Sequence, residues 1–272
     1  MSGTVLVTGA SDGLGRALAR ELAADGASVL VHGRDHGRAD EAVAAVRERA
    51  PGADVRPCFA DFASLAEVGA LADELLRDGV ALDALVNNAG IGSTLPGDGR
   101  RMESVDGYEL RFAVNYLAGY LLTRRLLPLM QRSAPARIVN VSSAGQMPID
   151  FGDVMLERAY DGVRAYCQSK LAQVMFTFDL AGELDGSRIS ATALHPATYM
   201  PTKMVLAARG SAMSALEEGV EATRRLVDDP ALEGVTGRYF EGKREARADA
   251  QAYDSGARAR LRALSDELTG LA

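Results

Sequence analysis

Hydrophobic and polar positions follow two different periods along this chain. Short runs rich in β-branched residues alternate with longer segments whose apolar residues recur near the helical period. The strand-like runs are TVLVT (4–8), ASVLVHG (27–33), ADVRPCFA (53–60), LDALVNN (82–88), ARIVNVSS (136–143), RISATALH (188–195) and GVTGRYF (234–240). The helical segments include 14–25, 38–50, 64–78 and 107–132. Strand followed by helix, repeated, predicts an α/β fold with a doubly wound parallel sheet and helices on both faces.

Two long segments interrupt this alternation. Residues 144–164 are a mixed insertion, and residues 196–213 begin with prolines and continue as an apolar, Met-containing run. Long irregular segments in a domain commonly form binding loops or lids, so we predict that both contact the substrate. An ordinary surface excursion is an equal alternative for the first. No Pro/Ser/Gly-rich linker or repeat divides the chain, so residues 1–272 are predicted to form a single domain.

Composition excludes several functional classes. The 272 residues are 47% hydrophobic and carry a formal net charge of −7, which argues against binding nucleic acid or an anionic membrane. The N-terminus lacks a basic region before an apolar stretch, and no apolar run approaches the roughly 20 residues of a membrane helix. Two cysteines without metal-type spacing favour a reducing compartment. We therefore expect a cytoplasmic protein with no metal site.

A glycine-rich turn follows the first strand. In VLVTGASDGLGRALA the glycines at 9, 13 and 15 stand where the strand passes into a helix. Glycine permits a tight turn and a close approach of the main chain to a pyrophosphate, and the helix N-terminus attracts that anion. The spacing departs from Gly-x-Gly-x-x-Gly, so a plain glycine-rich turn is the alternative. Its place after the first strand favours a dinucleotide-binding part over about residues 1–145, contacted by Gly9, Ser11, Asp12, Gly13, Leu14 and Gly15.

The end of the second strand bears on the choice of dinucleotide. VLVHGRD places Arg34 directly after Gly33, where the adenosine ribose is expected. An Arg there would bind a 2′-phosphate, so we predict a preference for NADP(H), with NAD(H) possible. Asp35 and Asp12 would offset part of that gain, and a solvated loop charge is the alternative reading of Arg34.

Further motifs follow in a fixed order along the chain. They are TGASDGLG (8–15), NNAG (87–90), Asn115 in VNYLAGYLLT, RIVNVSS (137–143) and AYCQSK (165–170). Together they resemble the short-chain dehydrogenase/reductase family over nearly the whole chain. The long gap before AYCQSKLAQVMFT and the ending GRYFEGKREA resemble its retinol-dehydrogenase-type and related bacterial members.

The resemblance implies a Rossmann-type sheet of about seven parallel strands that holds a nicotinamide cofactor. It implies that Tyr166 is the general acid/base and that Lys170 is its partner. It further implies that Asn115 holds a water and that Ser143 positions the substrate oxygen. The remaining cofactor contacts that it implies are Asp61, Phe62, Asn88, Ala89 and Gly90, with Tyr166 and Lys170 also touching the cofactor.

Two places depart from the family pattern. Ser143 lies 23 residues before Tyr166, a longer gap than many members have, which leaves Ser142 as an alternative to Ser143. The strand exit HPATYMPT has Ala197 where glycine is typical. The contact with the nicotinamide is therefore assigned to Pro196 and to either Thr198 or Thr202.

The spacing Tyr-x-x-x-Lys occurs three times, so it does not by itself mark a site. Residues 165–181 contain no Pro or Gly and have the apolar circumference of a partly buried helix. Tyr166 and Lys170 are therefore predicted to share one helical turn, with the ammonium lowering the pKa of the phenol. The pair Tyr199 and Lys203 spans Pro201, which disfavours a shared turn, and Tyr239 is predicted to lie at a surface edge.

These features favour an NADP(H)-dependent carbonyl reductase or alcohol dehydrogenase. Met147, Ile149, Phe151 and the run MVLAA (204–208) indicate a hydrophobic substrate. A cofactor-dependent epimerase or cyclase and a non-catalytic NADP-sensing protein are the alternatives. The family resemblance implies that apolar faces of the helices in 107–132 and 165–183 pair between subunits, which favours a homodimer or homotetramer. A monomer is the alternative, and the C-terminal stretch 244–268 could equally cover its own core.

Overall fold

A computed structural model describes residues 3–94 and 96–272 and confirms the predicted parallel sheet. The strands of this described part are β1 (Thr4–Val7), β2 (Ser28–Gly33), β3 (Val55–Phe59), β4 (Ala84–Asn87), β5 (Ala136–Val141), β6 (Ile189–His195), β7 (Arg238–Glu241) and β8 (Arg244–Glu245). They lie in the order β3-β2-β1-β4-β5-β6-β7-β8. The first seven strands are parallel, as predicted, and the two-residue β8 turns back antiparallel after Gly242, whose φ is +56°.

Helices connect successive strands. Those described are α1 (Gly13–Ala24), α2 (His36–Arg49), α3 (Leu65–Asp78), α4 (Leu110–Phe112), α5 (Ala118–Ser133), α6 (Gly162–Glu183), α7 (Lys203–Arg209), α8 (Leu216–Asp228) and α9 (Ser255–Thr269). The predicted helix over 107–132 consists of α4 and α5 joined by a π-helical turn at Ala113–Leu117. Side-chain oxygens of Asp12, Asp35, Ser64 and Asp161 cap α1, α2, α3 and α6, which is why these helices begin where they do.

Both faces of the sheet are buried by helices. Leu6, Leu85 and Ile138 belong to a core shared with α3, α5, α6 and α9. Their neighbours Val5, Val86 and Val139 belong to a second core shared with α1, α2 and α8. Adjacent residues point to opposite faces because side chains alternate along a strand, and this explains the continuous apolar runs in the sequence.

The topology places one crevice at the centre of the sheet. β1 pairs with β2 on one side and with β4 on the other, so the strand order reverses between β1 and β4. In open α/β sheets the ligand crevice lies outside the carboxyl ends of the strands at such a reversal. The loops that follow β1, β4, β5 and β6 therefore meet at this edge.

The second interrupting segment is more regular than the sequence predicts. Residues 203–209 form α7, because the Thr202 hydroxyl accepts a hydrogen bond from the Val205 amide (3.3 Å) and Gly210 ends the helix in a left-handed conformation. Tyr199 lies outside this helix at φ 49°, so Tyr199 and Lys203 do not share a turn, as predicted.

The C-terminal helix covers α5 and α6. The Tyr116 hydroxyl lies 2.7 Å from Ser265 Oγ, and the Tyr120 hydroxyl donates to Asp266 Oδ1 (2.5 Å). Leu261 of α9 is 1% exposed. The helices that the sequence predicts to pair between subunits therefore already pack against α9 of the same chain.

Residues 3–94 and 96–272 contain no helix that could span a membrane and no cluster of side chains that could bind a metal ion. Cys58 and Cys167 are buried free thiols. None of the described helices is long and apolar enough to cross a membrane. No group of three or more His, Cys, Asp or Glu side chains among the described residues is arranged to hold a metal ion. The cytoplasmic location stays a prediction.

Candidate active site

Tyr166 and Lys170 lie one turn apart on α6, as predicted. The Lys170 ammonium is buried and donates to the carbonyl oxygen of Val141 (3.0 Å) and to Gln173 Oε1 (2.9 Å). Lys170 Nζ lies 5.8 Å from the centre of the Tyr166 ring. Gln173 therefore holds the lysine at the end of β5, a role that the sequence reading missed because glutamine on a buried helix face has no distinctive signal.

The structure separates the two adjacent serines. Ser142 is buried, and its hydroxyl donates to the carbonyl oxygen of Lys170 (2.7 Å), so it fastens α6 to β5. The Ser143 hydroxyl accepts from the Gly145 amide (3.0 Å) and lies beside the Tyr166 phenol, whose pKa it lowers. Ser143 is thus the serine that meets Tyr166.

The pKa of Tyr166 is shifted in the opposite direction to the prediction. Burial raises the pKa of Tyr166 above its ordinary value, and the Ser143 hydrogen bond opposes this only in part. Burial also lowers the pKa of Lys170 to about 7. Desolvation disfavours the charged form of each group, and it replaces the lowering of the Tyr166 pKa that the helical spacing led us to expect. The phenol is therefore held in its protonated form.

Asn115 lies in the π-helical turn and is 1% exposed. Its Oδ1 accepts from the Ile91 amide (2.7 Å), and its Nδ2 donates to the Ile91 carbonyl (3.1 Å) and to Ser169 Oγ (2.9 Å). A Cβ on Gly90 would lie 3.2 Å from Asn115 Oδ1 and 3.5 Å from Lys170 Nζ. Asn115 therefore positions the loop after β4 against α6, and the tight contact favours glycine at position 90.

The glycine-rich turn and the loop after β4 are joined by hydrogen bonds. Gly9 and Gly13 have φ values of 63° and 50°, which favour glycine. A Cβ on Gly15 would lie 2.5 Å from both Asn88 Nδ2 and the Gly9 carbonyl. The Thr8 hydroxyl accepts from the amides of Asn88 (2.9 Å) and Ala89 (3.0 Å). This turn brings the main chain and the first turn of α1 to the crevice, a cradle that fits a dinucleotide pyrophosphate.

His32 supports the glycine-rich turn through hydrogen bonds of both ring nitrogens, which the sequence did not predict. Its Nδ1 lies 3.0 Å from the Gly9 amide, and its Nε2 lies 3.1 Å from the Ala60 carbonyl. Burial lowers the pKa of His32 to about 4, so the ring is neutral at physiological pH. A neutral ring accepts from Gly9 and donates to Ala60, which ties the turn to the loop after β3.

The predicted adenosine end is partly exposed. Arg34 is exposed after β2, and Asp35 is occupied as the cap of α2, where it accepts from the Arg38 amide (2.9 Å). The Asp61 carboxylate accepts from the Ala63 amide (2.9 Å) and is half-buried. The side chains of Phe62 and Leu14 are in the two cores, so for these two residues the predicted cofactor contact is limited to the main chain.

The segment after β6 approaches the glycine-rich turn through α7. Lys203 Nζ lies 2.8 Å from Asp12 Oδ2. Burial alone would raise the pKa of Asp12, but the Lys203 and Gly13 hydrogen bonds and nearby cations hold that pKa below its ordinary range. Thr202 lies beside Gly13, where a Cβ would be 3.2 Å from its methyl group.

Of the two candidate threonines, the structure brings Thr202 to the glycine-rich turn. Thr198 is exposed, and its hydroxyl lies 3.1 Å from His195 Nε2. Pro196 is buried at the end of β6. The assignment of a nicotinamide contact to Thr198 therefore gains no support from its position.

The predicted apolar residues of the first interrupting segment divide into two groups. Ile149 is buried, and its main chain is fixed by Gln251 through bonds of 2.7 and 3.1 Å. Phe151 packs beneath Arg260, with 4.8 Å between the guanidinium carbon and the ring centre. Only Met147 of the three is exposed, so the substrate prediction for Ile149 and Phe151 is not supported.

A buried ionic group that the sequence reading missed lies next to the site. Glu109 and Arg111 are both fully buried, with 3.6 Å between Arg111 Nη1 and Glu109 Oε1. The Arg111 guanidinium donates to the carbonyls of Gly92 (2.8 Å), Ser93 (2.9 Å) and Pro96 (3.2 Å) and to the Tyr160 hydroxyl (2.6 Å). Since Tyr160 precedes α6, this group joins the loop after β4 to the start of the helix that carries Tyr166.

The sequence of this chain is similar to the sequences of known proteins. A family model for short chain dehydrogenases matches residues 3–211. Human retinol dehydrogenase 14 is 35% identical over 297 residues, covering 98% of this chain and 86% of that protein. Mouse retinol dehydrogenase 13 is 36% identical over 290 residues, covering 99% of this chain and 84% of that protein.

Solved structures show the same fold. An uncharacterized protein from Mycobacterium paratuberculosis is 30% identical and superposes with a TM-score of 0.76, covering 98% of this chain and 93% of that one. A Beutenbergia cavernae protein solved with NADP bound at low occupancy is 28% identical, with a TM-score of 0.71 over 88% of this chain and 94% of that one.

Proposed function

Since this chain belongs to the short-chain dehydrogenase family, and is therefore a nicotinamide-dependent oxidoreductase acting on CH–OH donors, we propose that it interconverts a carbonyl and an alcohol on a hydrophobic small molecule with NADP(H). The observation that carries the proposal is the position of the Ser143 hydroxyl beside Tyr166, one helical turn from Lys170. These groups stand at the carboxyl edge of the sheet, beside the glycine-rich cradle.

Each of these side chains has a distinct proposed part in the reaction. Ser143 donates its one O–H to the substrate oxygen, while its own oxygen accepts from the Gly145 amide. Tyr166 gives that oxygen a proton in reduction as the oxygen becomes basic. Lys170 binds the ribose next to the nicotinamide and returns the proton to Tyr166. The nicotinamide supplies the hydride in reduction and accepts it in oxidation.

Asn115 keeps the implied role of holding a water beside Lys170 as part of the proposal. Its side-chain atoms are engaged with Ile91 and Ser169. The water would therefore bind the main chain of the π-helical turn. Such turns occur often at functional sites because they interrupt the regular helical hydrogen bonding.

The preference for NADP(H) rests on the adenosine end of the crevice. Arg34 is exposed there and has no ion pair of its own in the described structure, whereas Asp35 is engaged by Arg38 (3.5 Å) and in capping α2. Asp12 is likewise neutralised by Lys203 and Arg16. The two carboxylates that would repel a 2′-phosphate therefore have cationic partners. The relative solved with NADP supports the same choice.

The hydrophobic substrate is supported by the segment around α7. Its exposed side chains include Tyr199, Met204, Leu206 and Met213. Met204 packs against Gly92, where a Cβ would lie 2.6 Å from the Met204 Cγ, so α7 closes over the loop after β4. Apolar side chains exposed beside a catalytic cleft suit an apolar ligand. The retinol dehydrogenases among the relatives point to the same substrate class.

A panel of carbonyl compounds tests the proposal. We expect NADPH oxidation with aliphatic, aromatic and polyene aldehydes or ketones and none with free sugars. With NADH, kcat/KM should be about 10- to 100-fold lower, because a charge-assisted Arg–phosphate contact contributes about 1.5–3 kcal/mol. Substrate conversion at constant nicotinamide absorbance would favour an epimerase or cyclase instead. Cofactor binding without any conversion across the panel would favour a sensing protein.

We also propose that the chain is a monomer, which departs from the homodimer or homotetramer that the sequence favoured. Support comes from α9, which occupies the α5–α6 face through Ser265 and Asp266. Among the described residues, Val163 is the one large apolar side chain of α5 and α6 that stays exposed. A stable interface needs roughly 800 Å² per partner with buried apolar anchors. Light scattering after size-exclusion chromatography should give 28.7 kDa, and a dimeric mass would contradict the proposal.

A further inference from the structure

The main-chain carbonyl of Ser143 receives two side-chain hydrogen bonds. The Tyr239 hydroxyl donates to it over 3.1 Å, and Gln146 Nε2 donates over 2.8 Å. Tyr239 is 1% exposed in the middle of β7, two strands away from β5. The prediction that Tyr239 lies at a surface edge is therefore wrong, because the residue belongs to the core that packs against α6.

This carbonyl needs such donors because the chain leaves the sheet at Ser143. The last ladder bond of this strand runs from the Ser142 amide to the Leu194 carbonyl (2.8 Å). A half-buried carbonyl without a partner is unfavourable, so donors from elsewhere satisfy it. These donors are the Tyr239 hydroxyl on β7 and the side-chain amide of Gln146. The Oε1 atom of Gln146 in turn accepts from the main-chain amide of Asp249 (3.0 Å). The C-terminal part of the chain thereby fixes the main chain of Ser143.

The hydroxyl of Ser143 is fixed from the opposite side. It accepts from the Gly145 amide and lies beside Tyr166. A rotation of the Ser143 peptide would move the hydroxyl away from Tyr166, so the carbonyl bonds and the direction of the hydroxyl are linked through one residue. Misplacing a substrate-positioning group by about 1 Å can cost up to about 100-fold in rate.

We infer that Tyr239 is a positioning residue for Ser143, with Gln146 as its second support. This inference rests on the proposed function, because it assigns Tyr239 an effect on turnover that runs through Ser143. Tyr239 touches no reacting atom in this scheme. Its hydroxyl holds the Ser143 carbonyl in the orientation that directs the serine hydroxyl at the substrate oxygen.

The test compares Tyr239→Phe with Tyr108→Phe, which removes a hydroxyl-to-carbonyl bond of similar length (3.0 Å, to Leu268) on α9 and away from the site. We expect Tyr239→Phe to lower kcat about 5- to 10-fold with the NADPH dissociation constant unchanged. Tyr108→Phe should change kcat by less than about 2-fold. Gln146→Met should also lower kcat. It provides a second test if the Tyr239→Phe variant, which changes a buried residue, folds poorly.

A double-mutant cycle distinguishes positioning from a general loss of packing. In a Ser143→Ala background, the same Tyr239→Phe change should leave the residual kcat unaltered, because the residue through which it acts is gone. An undiminished effect in that background, or equal effects of Tyr239→Phe and Tyr108→Phe on kcat, would overturn the inference. If Ser143→Ala lowers turnover but Tyr239→Phe does not, the inference alone fails. If the wild-type chain turns over no carbonyl, the proposed function and the inference fail together.

Discussion

Replacing Tyr166 with phenylalanine is expected to lower kcat by about 100- to 10,000-fold, the range typical of losing a general acid. The change removes one hydroxyl from a half-buried ring and leaves the glycine-rich cradle and Lys170 intact. Without the phenol, the proposed site has no group that transfers a proton to the substrate oxygen, because Ser143 only donates a hydrogen bond to it. Steady-state turnover and an NADPH binding titration measure the two effects separately. The dissociation constant of NADPH should change by less than about 3-fold, because the lost contact is one of many.

The control for Tyr166→Phe is the same Tyr108→Phe variant, which removes a hydroxyl remote from the crevice. A kcat within a few-fold of wild type in Tyr166→Phe would remove the phenol from the reaction. A joint loss of turnover and NADPH binding would show instead that the ring holds the cofactor site together. In either case, Ser143 and Lys170 would be the remaining candidates for the groups that carry out proton transfer.

The sequence was sufficient to predict the parts of the site that follow from local geometry. Alternation of strand and helix predicted the parallel sheet, and the glycines at 9, 13 and 15 predicted the turn that opens α1. The absence of Pro and Gly from 165–181 predicted the helix that carries Tyr166 and Lys170. Period, turn chemistry and helical spacing are properties of a few neighbouring residues, so a single sequence contains them.

Features that depend on distant contacts were not predictable in this way. Ser142 and Ser143 are adjacent and chemically identical, and only the orientation of β5 relative to α6 directs one to the Lys170 carbonyl and the other to Tyr166. The pKa of Tyr166 follows from how much chain buries the ring, which helical spacing does not reveal. Tyr239 reaches Ser143 across 96 positions of sequence through the order of the strands.

The contacts of Arg111 also join residues that are distant in the sequence, and we expect their loss to lower stability strongly. Replacing it with methionine is expected to reduce the free energy of unfolding by about 3–5 kcal/mol, because the change leaves a fully buried carboxylate uncompensated. Glu109 would lose its cation, and the carbonyls of Gly92 and Ser93 would lose their donors. Urea unfolding followed by circular dichroism measures the change. The matched control is Arg125→Met, which breaks an exposed pair with Asp73 and should cost about 0–1 kcal/mol.

The double variant Arg111→Met with Glu109→Gln identifies the cause of the loss. A neutral amide at position 109 removes the unpaired charge while its oxygen can still accept from the Phe112 amide, which Glu109 now caps over 2.7 Å. We therefore expect the double variant to recover part of the stability that Arg111→Met loses. A loss no larger than that of Arg125→Met, or a double variant less stable than Arg111→Met alone, would mean that the buried pair does not fasten the loop after β4 to α6.

The Gly162 main chain touches that loop directly, since a Cβ there would lie 2.4 Å from the Ser93 carbonyl. Loosening the Arg111 contacts should for this reason also disturb the start of the helix on which Tyr166 and Lys170 depend.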